Sequence, residues 1–415
     1  MYNRTVDPQK VVAPPYDVIS PERQRELYEI HPNNVIRLIL NREADPYTSA
    51  AQDLKSWIES SILTQDPEKA LYVLHQEFTD SGGRTFKRVG VIGLCRLEEY
   101  SQGVVLPHEK TLPRPRADRL NLIMATASNF CQVFGLYADS NQTVDVILEA
   151  CTKSEPDRSV EFEGIVNSIW RMADPGVISE IQSALMEKEI FIADGHHRYE
   201  TALAYRNLMR ERSPGHTGEE KYNYVLMFFT NMESDGLVVY PTHRVIHSLP
   251  TFDVTTFLAR VDEYFSMSKF VTLDALLNAM TMPGPMKIGM RLRDEPAYYL
   301  LFSRPEKSLT SLFGGNLPPE LSNLDVTVLH KLIIGQFLGI SEELQAQKLN
   351  IEFVRDPNEA VGKIERGAAQ IAFLLNPPSV ENICQVARSG NTMPQKSTYF
   401  YPKLLSGLVM YRMAD

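Results

Sequence analysis

One stretch constrains the fold more than any other: Ile190-Phe191-Ile192-Ala193-Asp194-Gly195-His196-His197-Arg198-Tyr199-Glu200-Thr201-Ala202. An apolar run stops at Asp194-Gly195, and two histidines and an arginine follow at once. A helix-compatible run then continues from Tyr199 to about Arg212. The pattern reads as buried strand, tight turn and helix start. Glycine lets the backbone turn with little steric cost. The first turn of a helix carries N–H groups without intrahelical partners and the positive end of the dipole, which suits an anion. With His196, His197 and Arg198 added, a phosphate is the natural occupant. The plainer alternative is a strand–turn–helix with solvated basic residues, but crowded cations repel unless an anion sits among them.

Length and charge narrow the class. The chain has 415 residues, which points to two or three domains. A hydrophobic share of 43% and a charged share of 23% are ordinary for a globular protein. The net charge of -10 argues against a general nucleic-acid coat or an anionic-membrane binder, while leaving room for a local basic pocket. Cys95, Cys131, Cys151 and Cys384 are scattered with no Cys-x-x-Cys pair, which speaks against a thiolate zinc site. Their sparseness fits a reducing cytoplasm better than a disulfide framework. No signal-like N-terminus and no run of membrane-span length is visible, so a cytoplasmic location is expected.

Taken in order, the chain alternates helices and strands. Ala13-Pro14-Pro15-Tyr16-Asp17 must be extended or turning, and Ser20-Pro21 then starts a helix to about Ile30. Residues 35–40 read as a buried strand, 47–61 as a helix, and 70–78 and 88–97 as a hairpin across Gly82-Gly83. A helix over 117–128, a strand over 133–137, a helix over 175–188 and a strand over 222–230 follow. Beyond residue 252, helices fit 252–265, 273–281, 325–338, 357–367 and 379–388. Strands fit 286–292, 297–303, 351–354 and 370–374. The expected class is α/β (α+β), with a first domain over 1–250 and a second α/β domain over 251–415.

Three polar clusters could carry chemistry: Asp194 to Arg198, His108 to Arg119, and Lys396 to Lys403. Arg198, Arg114, Arg116 and Lys396 are candidate phosphate clamps, since a guanidinium fork meets phosphate oxygens bidentately. Lys396-Ser397-Thr398 places a cation beside two hydroxyls, a composition that suits a phosphate or a metal–nucleotide complex. Glu109 and Asp194 are candidate bases or Mg²⁺ ligands, and His108 is a further candidate base. Arg114 and Arg116 could equally be surface charges near Asp118, and an Asp before Gly is a common turn residue. Thr242-His243-Arg244 reads as structural or peripheral. Arg206 interrupts an apolar helix stripe and reads as half of a buried ion pair. No P-loop, no strong dinucleotide-binding glycine pattern and no nucleophile elbow is present.

The segment Asp194-Gly195-His196-His197-Arg198-Tyr199 resembles the nucleotide-phosphate motif of the ParB/sulfiredoxin superfamily. Sulfiredoxins carry Gly-Cys-His-Arg-Tyr there, and ParB proteins Gly-Glu-Arg-Arg. The whole chain is similar to the domain-of-unknown-function family numbered one thousand and fifteen. The motifs that carry this are Ala-Pro-Pro-Tyr-Asp-Val-Ile at 13–19, His-Glu-Lys-Thr at 108–111 and Ala-Asp-Gly-His-His-Arg-Tyr at 193–199. Pro-Thr-His-Arg at 241–244 and Met-Pro-Gln-Lys-Ser-Thr-Tyr-Phe at 393–400 complete the set. The resemblance implies a ParB/sulfiredoxin-like first domain, with Gly195, His197 and Arg198 binding phosphates. One branch of that superfamily phosphorylates free serine. His196 occupies the sulfiredoxin cysteine position and cannot form a thiosulfinate, which excludes that repair mechanism.

The expected activity is therefore a nucleotide- and Mg-dependent phosphotransferase, a kinase of serine metabolism using ATP or ADP. Its acceptor is a small hydroxylated metabolite, with free L-serine the best single choice. Gly195, His196, His197, Arg198, Arg114 and Arg116 would hold the nucleotide, and Asp194 the Mg²⁺. Glu109 or His108 would take the acceptor proton, and Lys396, Ser397 and Thr398 would close the site from the second domain. The alternative is a nucleotide-binding regulatory switch or NTPase without a small-molecule acceptor. Nucleic acid and membrane are not expected partners.

Overall fold

The computed structural model describes residues 1–80, 82–304, 317–322 and 324–414. The protein is a mixed α/β fold divided into two compact units that are discontinuous in sequence. The first comprises Met1–Pro107, Thr111–Val238 and Phe400–Asp415, and the second His108–Lys110 and Val239–Tyr399. Nothing in the sequence announces that the chain returns to the first unit at Phe400.

The first unit is built on a mixed sheet of eight strands. In chain order these are β1 (Leu71–Thr79), β2 (Thr85–Arg96), β3 (Val105–Leu106), β4 (Val133–Tyr137), β5 (Arg158–Phe162), β6 (Ile165–Met172), β7 (Ile190–Asp194) and β8 (Tyr224–Asn231). Their spatial order is β3-β7-β4-β8-β2-β1-β6-β5. Central β4 is buried along its whole length, and β7 is buried from Ile190 to Ala193. That explains why both read as unbroken apolar runs rather than as alternation. Each fully buried apolar side chain contributes about 1.5–3 kcal/mol.

On one face, Val73, Val91, Val133, Met227 and Phe229 pack against the helices Thr143–Cys151, Pro175–Leu185 and His196–Arg212. On the other, Phe134 meets Phe228 and Phe400, and Phe78 meets Tyr401. The β1–β2 hairpin forms as expected, in register from Thr79↔Thr85 to Tyr72↔Ile92.

Two expectations in this unit need correction. Residues Ile36–Ile39 are a short helix, not a strand. Asn34 decides this: its Oδ1 accepts the Ile36 N–H at 2.9 Å, while its Nδ2 donates to the carbonyls of Lys10 and Val12. A short buried apolar run carries no periodicity that separates the two states. The helix expected from 117 begins at Pro113, which sits comfortably at a first helical turn.

The second unit holds an antiparallel sheet of six strands: β9 (His243–Ile246), β10 (Phe265–Phe270), β11 (Lys287–Leu292), β12 (Tyr298–Ser303), β13 (Ile351–Val354) and β14 (Ile371–Leu374). The spatial order is β10-β12-β11-β14-β9-β13. Its core joins Val245, Leu300, Ala372 and Leu374 to Leu276 and Met280 of one helix and Ala360, Val361 and Ile364 of another. The helix expected over 325–338 is α-helical at Asp325–Val328 and then widens to a π-helix over Leu329–Phe337. No helix among the described residues is long and apolar enough to cross a membrane.

Candidate functional site

In the first unit, β7 delivers Asp194 to the end of the sheet. The register between β4 and β7 shifts between Phe134 and Gly135, opposite Asp194 and Ile192. Such a bulge re-aims the side chains beside it. Gly195 follows with φ +93°, a left-handed conformation, and caps the helix without a side-chain bond. A Cβ built there would lie 2.9 Å from the Arg198 guanidinium. Glycine is thus required twice, by backbone and by close approach.

Arg198 folds back under this turn. Its Nη2 lies 2.6 Å from Asp194 Oδ2, and its Nη1 lies 2.8 Å from Cys131 Sγ and also donates to the Gln132 carbonyl. The other oxygen of Asp194 takes the Lys403 ammonium. Burial alone would lower the Arg198 pKa, but Cys131, Asp194, Asp17 and Tyr16 outweigh it and the guanidinium pKa is raised. Burial pushes the Cys131 thiol up, although Arg198 opposes it.

A third cation supports the arrangement. Arg88 is fully buried. It donates to Gln76 Oε1 at 3.1 Å, to the Tyr401 carbonyl at 3.2 Å and to the Pro402 carbonyl at 2.5 Å. Its guanidinium stacks 4.6 Å from the Phe134 ring centroid. Burial lowers its pKa to about 9, with Asp194 acting the other way, so it stays charged at neutral pH. Arg88 thus anchors the residues that precede Lys403. Beneath Arg198 lies a cavity of about 70 Å³ lined by Tyr16, Arg119, Cys131, Thr201 and Ser406 among others. The hydroxyl of Thr201 is buried there without a hydrogen-bond partner.

The other residues expected at this turn have defined work. His197 Nε2 accepts the Leu112 N–H at 2.8 Å, so that nitrogen is unprotonated and does not serve as a phosphate donor in this arrangement. Glu200 accepts from Thr111 at 2.5 Å and pairs with Arg116 at 3.2 Å. Arg116 is therefore half of a half-exposed ion pair. His196 is buried. The side chain of Arg114 lies outside the described residues. Arg206 is buried and forms an ion pair as expected, but its partner Glu99 is half exposed, and Arg206 also donates to the Leu97 carbonyl at 2.6 Å.

The second unit gathers its own polar cluster. His108 is fully buried, its Nε2 2.9 Å from Thr398 Oγ1, and its carbonyl accepts the Met393 N–H at 2.8 Å. Glu109 Oε1 accepts the Lys396 N–H at 3.3 Å. Ser397 Oγ donates to the Pro394 carbonyl, which tightens the turn. The structure thus brings His108, Glu109 and Lys396–Thr398 together within the second unit.

Sequence reasoning missed Arg88, Cys131, Gln132 and Lys403 as parts of the arrangement around Asp194. Arg88 had a signal, a cation directly before the apolar run 89–95. Lys403 lay inside a recognised polar stretch, but the structure divides that stretch, Lys396 going to one unit and Lys403 to the other. Among the described residues no group of three or more His, Cys, Asp or Glu forms a metal-ligand set. Both oxygens of Asp194 face cations, so the site as arranged is a poor Mg²⁺ cage. Mg²⁺ commonly takes one or two carboxylates and draws its other ligands from phosphates and water.

No curated protein matches the sequence. Solved structures give distant likenesses. A conserved hypothetical protein from Pyrococcus furiosus shares 12% identity, covering 78% of this chain and 95% of that one, with a TM-score of 0.37. A free serine kinase in complex with AMP shares 11%, covering 76% and 90%, with a TM-score of 0.38. SbnI with a C-terminal truncation, from Staphylococcus aureus, shares 12%, covering 76% and 85%, with a TM-score of 0.37. At these TM-scores the likenesses carry no argument about chemistry. The match to a family is of another order, running from residue 1 to residue 327. The chain belongs to the family described as Protein of unknown function (DUF1015).

Proposed function

We propose that this protein is a nucleotide-dependent phosphotransferase acting on a small hydroxylated metabolite, with free L-serine the leading acceptor. One observation carries the reading. Arg198 and Lys403 converge on Asp194 at a strand end where a helix begins, and Arg88 holds the residues just before Lys403. Cations gathered at one turn favour an anion beside them. The dipole and leading N–H groups of the helix His196–Arg212 add to that preference. A phosphate group is the matching ligand, and a nucleotide supplies one.

In this reading Gly195 and Arg198 hold the nucleotide phosphates. Asp194, once released from Lys403, would be the side chain that holds a Mg²⁺ carried by the phosphates, and that ion would supply charge neutralisation. Glu109 takes the proton from the attacking hydroxyl, or His108 does. Lys396 and Thr398 supply charge and hydrogen bonds. Positioning and electrostatic stabilisation account for most of the catalysis, as they do in phosphoryl transfer generally.

The test incubates the protein with Mg²⁺, ATP or ADP, and L-serine, and looks for O-phosphoserine by mass spectrometry. Absence of product with either nucleotide across an amino-acid panel sinks the acceptor assignment. Nucleotide-dependent thermal stabilisation without any acceptor requirement would instead favour a regulatory switch.

A further inference from the structure

We infer that Arg244, oriented by His330, is a positioning residue that clamps Lys396 in a left-handed backbone conformation. Lys396 has φ +56°. An L-residue with a Cβ rarely adopts that region, and when it does so at a functional segment the surroundings must enforce it. The enforcement is visible on both sides of the residue. Glu109 Oε1 accepts its N–H at 3.3 Å, and Arg244 Nη2 donates to its carbonyl at 3.1 Å. The same nitrogen lies 3.4 Å from the Gln395 carbonyl.

Arg244 is itself held without freedom. It is fully buried on β9. Its Nη1 donates to the Thr242 carbonyl, and its Nε donates to His330 Nε2 at 2.9 Å. An imidazole nitrogen that accepts must be unprotonated, so the His330 proton sits on Nδ1, 2.7 Å from Gln345 Oε1. Gln345 is fixed in turn by donating to the Ile340 carbonyl at 2.8 Å. Burial, reinforced by Arg244, lowers the His330 pKa to about 3, which keeps the ring neutral. His330 lies in the π-helix, a widened turn that often marks functional positions.

A buried guanidinium bonded to carbonyls and a neutral ring is a poor way to gain stability, since an apolar residue of similar size would avoid the desolvation. What it provides is direction. Gln345 aims His330, His330 aims Arg244, and Arg244 fixes the peptide that carries Lys396 and leads to Thr398. The inference rests on the reading above, which gives Glu109 and Lys396 their roles.

The test is a double-mutant cycle read by hydrogen exchange in the segment 393–399. Arg244→Lys keeps the charge but loses the fork. Exchange at Ser397 and Thr398 is expected to rise about tenfold, with β11 unchanged. Glycine adopts positive φ freely, so in a Lys396→Gly background the Arg244→Lys effect should shrink to about threefold or less. Equal effects in both backgrounds, or none in the wild-type background, overturn the inference. Should Arg244→Lys not fold, Gln345→Ala loosens the same chain from its far end and is read in the same cycle. In the phosphotransfer assay Arg244→Lys should lower kcat with little change in the nucleotide KM. A wild-type protein without phosphotransfer counts against the proposed function, and the exchange cycle still decides the clamp.

Discussion

Asp194 and Arg198 face each other across the Gly195 turn, with Nη2 of the arginine 2.6 Å from Oδ2 of the carboxylate. Lys403 occupies the other oxygen. The carboxylate thus answers both cations at once, and in the proposed reading it competes with the nucleotide phosphates for them. Asp194→Asn removes its charge while keeping its shape. In Mg²⁺-free buffer we expect nucleotide to bind about tenfold more tightly to this variant, a change of about 1.4 kcal/mol. Isothermal titration with and without Mg²⁺ checks this. Weaker binding confined to the Mg²⁺ buffer would make Asp194 a metal ligand instead.

Gly195→Ala should be costly in two measurable ways. Its φ of +93° adds about 1–2 kcal/mol of backbone strain for any residue with a Cβ. The new methyl would also press on the Arg198 guanidinium at 2.9 Å. Urea unfolding should show the lost stability, and the thermal shift produced by nucleotide should shrink with it. A variant of native stability that binds nucleotide normally would show that this turn does not set the position of Arg198.

Glu109→Gln separates chemistry from folding. The amide oxygen can still accept the Lys396 N–H, so the segment 108–110 should keep its place. Loss of a general base commonly lowers turnover by about 10²–10⁴-fold. We expect kcat to fall in that range with circular dichroism and nucleotide affinity unchanged. Full kcat would remove Glu109 as the base and leave His108.

Much of this was legible before any coordinates. The β1–β2 hairpin follows from apolar runs flanking Gly82-Gly83, and the strand–turn–helix at 190–212 from an apolar run broken by Asp-Gly. Other parts were hidden for physical reasons. Ile36–Ile39 is helical where the Asn34 side chain, one residue before the N-cap, accepts the Ile36 N–H, a local bond that hydrophobic pattern does not encode. The half-polar strand Phe265–Phe270 lies at a sheet edge, where no apolar run is needed, and it went unread. At the turn, the sequence presents His197 as a cation, yet the structure uses it as an acceptor for Leu112. Lys403 meets Asp194, and Arg88 the carbonyls just before Lys403, only through tertiary contacts that no local spacing reveals. Arg244 read as structural because its partners, His330 and Lys396, lie far along the chain.

Acid should unfold the second unit early, and the sign follows from its buried histidines. Burial first, and Arg244 second, lower His243 from 6.5 to about 4 and His330 from 6.5 to about 3. Both rings are neutral when folded, whereas the unfolded chain binds protons as the pH falls below 6.5. Their stabilisation is therefore complete above 6.5 and is lost progressively as pH falls toward 4 and then 3. Asp325 opposes part of this. Burial raises it from 3.8 to about 6, so between those values the folded form holds a proton that the unfolded form has released. Its contribution to stability grows as pH falls through 6, but two histidines outweigh one carboxyl. We expect the urea midpoint to drop between about pH 6.5 and pH 4, each histidine contributing up to about 3 kcal/mol. His243→Asn can still accept the Leu375 N–H, which now reaches Nδ1 at 3.2 Å, and it cannot titrate. The variant should therefore lose less stability than the wild type over that window. An identical loss in both proteins would show that His243 protonation plays no part in acid unfolding.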